Sequence, residues 1–163
     1  MSQFGIKTEI PTGLKDAAVI LDKEVLTGLR DTSRSVAREA KRQAPEGVSG
    51  TLRRAINGTV IPVAGGAGAL VSEPIKYGPY VEYGTRPHMP PVDALKSWTA
   101  KKFRLARESK ANKRAAWALA MKIKRSGTRP NPFMGRTFFV TKPFAIERIQ
   151  NAIERAVERM SKE

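Results

Sequence analysis

The sequence contains no cysteine and a single histidine, His88. Disulfides and cysteine-ligated metal sites are therefore excluded, and nothing in the chain calls for an oxidising compartment. A zinc site would have to be built almost wholly from carboxylates, and neither a paired carboxylate nor a His-x-x-x-His spacing is present. A Ser-His-Asp arrangement would have to use His88, in Arg86-Pro87-His88-Met89-Pro90-Pro91. No Gly-x-Ser-x-Gly elbow accompanies it, so His88 reads as a loop residue between prolines. Long apolar runs are also missing, and nothing approaches the roughly 18 residues of a membrane span. The opening residues, Met1-Ser2-Gln3-Phe4-Gly5-Ile6-Lys7, lack the charged region and apolar stretch of a secretory leader, so none is expected. Acidic residues are scarce as well. Fifteen Asp and Glu face thirty Lys and Arg, a net charge of +15. That imbalance points to an anionic partner, either nucleic acid or an acidic protein surface. No cofactor, metal or catalytic residue is expected.

Hydrophobic residues make up 40 % of the 163 positions, enough for one domain with a modest core. Residues 1–12 read as an irregular lead-in. From Leu14 a helical stripe appears at Leu14, Ala18, Leu21, Val25, Leu29, Val36 and Ala40, spacings that share one face. Gly28 and Asp31-Thr32-Ser33 are expected to bend or interrupt it, and Pro45 to stop it. Residues 52–73 read as strand, turn and strand. Thr59-Val60-Ile61-Pro62-Val63 leads into Gly65-Gly66-Ala67-Gly68, and Ala69-Leu70-Val71-Ser72 returns. Pro62 has no N–H for a ladder, which predicts an edge strand or a bulge. The glycine run lacks the Gly-Lys-Ser/Thr ending of a phosphate-binding loop, so it reads as hairpin chemistry.

All three tyrosines of the chain fall in Tyr77-Gly78-Pro79-Tyr80-Val81-Glu82-Tyr83-Gly84-Thr85. Pro79 and Gly84 bracket one short helical turn, with a short strand as the alternative. A tyrosine ring buries apolar area while its hydroxyl seeks a partner, so these residues either roof the core or form an interface. Glu82, set among them, reads as an orienting or interface residue that wants a basic or hydroxyl partner.

Residues 86–129 carry thirteen basic residues against Asp93 and Glu108, so eleven of the fifteen net charges lie there. Two helices fit. One starts near Val92, with Leu95, Trp98, Ala100, Phe103 and Leu105 as candidate buried residues. The other ends near Arg125, with Ala116, Trp117, Leu119, Ala120 and Ile123. Both tryptophans of the chain belong to this pair, which predicts a small core of its own. Gly84-Thr85-Arg86-Pro87 precedes the pair and Gly127-Thr128-Arg129-Pro130 follows it. Each ends an element and forces an extended exit before proline, the framing expected of a helical insertion. Further on, Phe133-Met134 and Phe138-Phe139-Val140 are expected to reach the core. A last helix is expected from Pro143, with the stripe Ile146, Ile149, Ile153, Ala156, Val157 and Met160 and an ordinary solvated face opposite.

The order of these segments resembles a known group. A helix ends in Ala44-Pro45-x-Gly47-x-x-Gly50-Thr51-Leu52-Arg53. A hairpin, Tyr80-Val81-Glu82-Tyr83-Gly84-Thr85, Asn131-Pro132-Phe133-Met134 and a closing amphipathic helix follow. This resembles the neck and tail-completion family of long-tailed double-stranded DNA phages over most of the chain. The departure is the basic helical pair. In the simplest members the Gly-Thr stretch runs more directly into the Pro-Phe stretch. With the elements read above, one α+β domain over 1–163 is expected: a long N-terminal helix and a C-terminal amphipathic helix packed on a small antiparallel sheet, with the basic helical pair inserted at 86–129; the resemblance implies the same α+β class. It implies a structural virion subunit of the head–tail junction, made in the host cytoplasm, with no catalytic residues.

On that basis Tyr77, Tyr80, Glu82, Tyr83, Gly84 and Thr85 are the candidate fold motif or assembly interface. Lys101, Lys102, Arg104, Arg107, Lys110, Lys113, Arg114, Lys122, Lys124 and Arg125 are the candidate contacts to an anionic partner. The expected partners are other neck, connector or tail proteins, further copies of the chain in a ring, and DNA passing through the lumen, with no membrane. A chain that is monomeric until it meets its template also fits. The competing reading is a stand-alone, sequence-nonspecific nucleic-acid-binding protein. A small hydrolase using His88 or Glu82 is the third.

Overall fold

The computed structural model describes residues 12–64 and 66–162, with the side chains of the first helix described from Lys23 onward. The lead-in at 1–11, Gly65, and the stripe side chains of Leu14, Ala18 and Leu21 lie outside the described residues.

The first helix, α1 (Thr12–Gln43), runs unbroken. It starts two residues before the expected Leu14 and is not interrupted at Gly28 or Asp31-Thr32-Ser33. The polar stretch is accommodated along the helix, where the Ser33 hydroxyl donates to the Arg30 carbonyl at 2.9 Å. Gly28 marks a crossing and no bend. A Cβ built there would collide with the Cβ of Ala152 on the last helix. The helix ends before Pro45, and Arg53 Nε donates to the Ala44 carbonyl at 2.9 Å, satisfying one of the carbonyls a helix C-terminus leaves open.

A five-residue helix, α2 (Thr51–Ala55), follows, so strand structure starts later than residue 52. Gly50 takes the left-handed conformation just before it, at φ 65°. The strands β1 (Asn57–Val63) and β2 (Gly66–Ser72) pair antiparallel with Thr59 opposite Leu70 and Pro62 opposite Ala67. The register is continuous, so Pro62 sits without a bulge, in a two-stranded sheet. Next come α3 (Gly78–Tyr83), α4 (Val92–Phe103) and α5 (Lys110–Ser126). The short turn expected between Pro79 and Gly84 is α3, and the strand alternative falls.

The closing helix, α6 (Phe133–Met160), begins ten residues earlier than expected, with Pro143 inside it. Proline there removes one main-chain hydrogen bond. The helix survives because its start is fixed elsewhere. Phe133 is fully buried, worth roughly 2 kcal/mol relative to exposure, and the first turn is capped by a side chain from α3. Phe138, Phe139 and Val140 do not reach the core and are exposed. Phe138 and Phe139 turn away from the inner side taken by Phe133 and Thr137, while Val140 shares that side one turn further on and is still exposed.

Helices α1 and α6 lie antiparallel. Arg159 meets Glu24 at 2.6 Å, Arg148 reaches Ser35 at 2.9 Å, and Arg136 lies 3.5 Å from Gln43. The face of α6 expected to be merely solvated therefore supplies two arginines that reach α1. The expected stripe is only partly used. Ala152 and Ala156 are fully buried, whereas Ile146, Ile153 and Val157 remain exposed. Small residues win the contact because the two backbones approach closely at Gly28 and Ala152. The core gathers Ala37 and Ala40 of α1, Ala44 just past its end, Leu52 and Ile56, and Phe133, with Val71, Ile75, Val81 and Met134 packed on it. The architecture is α+β: long first and last helices on a small antiparallel sheet. No helix among the described residues is long and apolar enough to cross a membrane.

Candidate functional site

The segment Tyr77–Thr85 is the hub that joins the body to the basic pair. Glu82 is only 8 % exposed. Its Oε2 accepts the Met134 N–H at 2.9 Å and its Oε1 accepts the Gly135 N–H at 2.8 Å. These are open donors at the start of α6, where a carboxylate also meets the positive end of the helix dipole. The partner expected from the sequence was a basic or hydroxyl side chain. The actual partners are backbone N–H groups that only a folded helix presents, so side-chain chemistry could not have named them. One residue back, the Val81 carbonyl accepts the Asn131 N–H at 2.9 Å. The short α3 thus holds both the approach to α6 and its first turn.

At the other end of the hub, the two Gly-Thr-Arg-Pro stretches meet. Thr85 and Thr128 form an antiparallel bridge. Their backbones exchange hydrogen bonds at 3.3 and 3.2 Å, and their hydroxyls lie 3.1 Å apart. Gly84 and Gly127, at φ 74° and 68°, precede the two threonines. A Cβ on Gly84 would collide with the Thr128 carbonyl, and one on Gly127 with the Thr85 carbonyl. Glycine is therefore required on both sides of the bridge. The chain leaves the body and returns to it at a single clasp, with α4 and α5 between.

The tyrosines do not roof the core. Tyr77, Tyr80 and Tyr83 are 43 %, 61 % and 78 % exposed. Tyr77 and Tyr80 line an open depression of about 450 Å³ with Pro45, His88, Leu95 and Thr128. His88 is an exposed loop residue whose Nδ1 lies 2.9 Å from the Arg86 carbonyl. Among the described residues it makes no hydrogen bond to Glu82. Among the described residues no three His, Asp or Glu side chains gather as metal ligands.

The basic pair is not held by its tryptophans. Trp98, Phe103 and Trp117 are all exposed, although Trp98 and Phe103 meet edge to face at 6.5 Å. Ala116, Ala120 and Ile123 of α5 are buried, with Leu95, Ala100, Leu105 and Leu119 half-buried. A polar lock completes the pair. Thr99 Oγ1 donates to Asn112 Oδ1 at 2.6 Å, and Asn112 Nδ2 donates to the carbonyls of Lys96 and Arg107 at 3.0 and 2.7 Å. Both Thr99 and Asn112 are fully buried. Ser109 caps α5 by accepting the Asn112 N–H at 3.1 Å. Asparagine within a basic helix looks like an ordinary solvated residue, so sequence pattern carried no signal for this lock. The Lys96 hydrogen bond and its positive charge hold the Asp93 carboxyl below its ordinary range.

All ten candidate contact cations are exposed. Lys101 is turned toward the body, 3.5 Å from Glu46 and 3.3 Å from the Gly47 carbonyl. Arg107 lies 3.9 Å from Glu108. Among the described residues, Lys102, Arg104, Lys110, Lys113, Arg114, Lys122, Lys124 and Arg125 make no ion pair. No protein-family model, curated protein or solved structure matches the chain.

Proposed function

We propose that this chain is a structural subunit of the head–tail junction of a long-tailed phage and acts by packing, without catalysis. The observation that carries the reading is the set of exposed aromatic side chains on two helices that are tied to each other. Tyr80 and Tyr83 project from α3, and Phe138 and Phe139 from the first turns of α6. The two helices are tied together by the buried Glu82 carboxylate. Tyrosine and phenylalanine are enriched where proteins meet. The resemblance of the segment order to neck and tail-completion proteins supplies the setting.

In this reading the copies close into a ring through a heterologous, rotationally symmetric interface. The aromatic surface docks on a neighbouring copy or on a connector or tail protein. The segment 86–129 that carries α4 and α5, with eleven net positive charges, faces an anionic partner, because so much like charge repeated around a ring repels itself unless neutralised. Tyr83 and Phe139 lie outside the basic segment 86–129, where a protein acting alone on nucleic acid through that segment would not use them, and that favours assembly over the stand-alone reading. The two hydrolase candidates are engaged otherwise, Glu82 by two main-chain donors and His88 by a loop carbonyl.

The test is removal of the chain from a producing infection. The reading predicts filled heads and finished tails that accumulate unjoined and are joined when the protein is supplied. Intact infectious particles in its absence would overturn it.

A further inference from the structure

The geometry points to the outer face of α5 as a DNA-backbone binding surface. Residues Lys110, Lys113, Arg114, Trp117, Lys124 and Arg125 fall within one side of the helix at 100° per residue. Asn112, Ala116, Ala120 and Ile123, the buried side, occupy a separate arc that comes closest to the stripe where Ala120 flanks Lys113. The packing of α5 on α4 therefore fixes which way the charges face. No acidic residue occurs in α5, and none of the five cations makes an ion pair among the described residues. From Lys110 to Arg125 the stripe extends about 22 Å at the helical rise. One strand of duplex DNA sets about six phosphates along that length.

The composition of the stripe favours nucleic acid over an acidic protein. Lysine is depleted at the centre of protein–protein contacts, while surfaces that bind DNA are rich in it and far more positive. Trp117, 55 % exposed in the middle of the stripe, adds a ring that can lie against a base or sugar. Such a ring amid cations is the pattern of nucleic-acid surfaces that do not read sequence. Lys101 stands apart, since it already serves Glu46 and Gly47. This inference deepens the junction reading by naming the partner of one surface.

The experiment measures binding of the full chain to a fluorescent duplex and to a single strand of random sequence, across a salt series. Five phosphate contacts predict a slope of log affinity on log salt of about −4.5, close to a 500-fold loss between about 50 and 200 mM. Combining Lys110→Gln, Lys113→Gln and Lys124→Gln flattens the slope by about 2.7. A control with Lys41→Gln, Lys76→Gln and Arg155→Gln removes the same charge from exposed positions elsewhere and leaves the slope unchanged. Circular dichroism verifies that both variants keep their helices. In a Trp98→Phe background the emission reports Trp117 alone. Quenching supports the stripe, and the stronger quencher, duplex or single strand, is identified as the source of the phosphates.

Three results overturn the proposal. The two triple variants could flatten the slope equally, which leaves only diffuse net charge. Polyglutamate of matched charge could displace the probe as well as unlabelled DNA does, which makes an acidic protein surface the partner. Neither strand form could quench Trp117. Because the isolated chain is assayed, failure here leaves ring assembly standing, and failure of ring assembly leaves this result standing.

Discussion

The carboxylate of Glu82 on α3 and the backbone N–H of Gly135 on α6 meet at 2.8 Å, although fifty-three residues separate them in sequence. With the companion bond to Met134, this contact sets where the closing helix begins and anchors the exposed tyrosines beside it. Replacing Glu82 by Ala leaves the Met134 and Gly135 N–H groups without this acceptor, a loss of about 2 kcal/mol. Glu82→Gln keeps one acceptor and loses about half of that. Thermal melts report the totals. Hydrogen exchange should show faster exchange confined to the first turn of α6. Wild-type stability in Glu82→Ala would mean that the cap does not hold the helix.

The crossing of α1 and α6 has room for no side chain at Gly28. Gly28→Ala places its methyl against Ala152 and should cost about 1–3 kcal/mol by overpacking. Adding Ala152→Gly vacates the space and should recover most of that loss, despite the cost of glycine within a helix. Additive losses in the double variant, measured by denaturant melts, would show that the two positions are not in contact.

The Thr99–Asn112 lock lies inside the basic pair and away from the main core. Asn112→Ala leaves the carbonyls of Lys96 and Arg107 and the hydroxyl of Thr99 without this partner, a loss of about 1–3 kcal/mol. The effect should be local. Exchange of α4 and α5 amides should accelerate while α1 and α6 keep their protection. Equal acceleration throughout would mean that the pair and the body unfold as one unit.

The aromatic surface should matter to assembly and not to the fold. Tyr83→Ala and Phe139→Ala remove side chains that are 78 % and 82 % exposed, so each should change stability by no more than about 0.5 kcal/mol. Their incorporation into particles should fall sharply. A melt that drops by several degrees would place these rings in the fold instead of at a contact.

Local pattern disclosed the elements better than their ends. The 3.6-residue period of α1, the proline and glycine around α3, and the β-branched run of β1 were all readable, because each records a short-range backbone preference. The start of α6 was not. It depends on Glu82, fifty-one residues before Phe133 in the chain, and Pro143 offered a plausible false start. The same limit applied to burial. Trp98 and Trp117 looked like core because large apolar rings usually are, yet the pair closes on alanines and a buried asparagine. Tyr80 and Tyr83 could be core or contact from sequence, and only the tertiary position of α3 separates the two. The basic segment was legible as charge. Which of its cations are free depended on Lys101 turning to Glu46, a contact across fifty-five residues.

We propose that this chain works as a packed subunit at a phage head–tail junction. The most direct measurement is electron cryomicroscopy of the particle from the producing infection. A closed ring of copies is expected between head and tail, with Tyr80, Tyr83 and Phe139 at a protein contact and the outer face of α5 turned toward DNA. A particle with no density for the chain at the junction, or with these side chains open to solvent there, would contradict it.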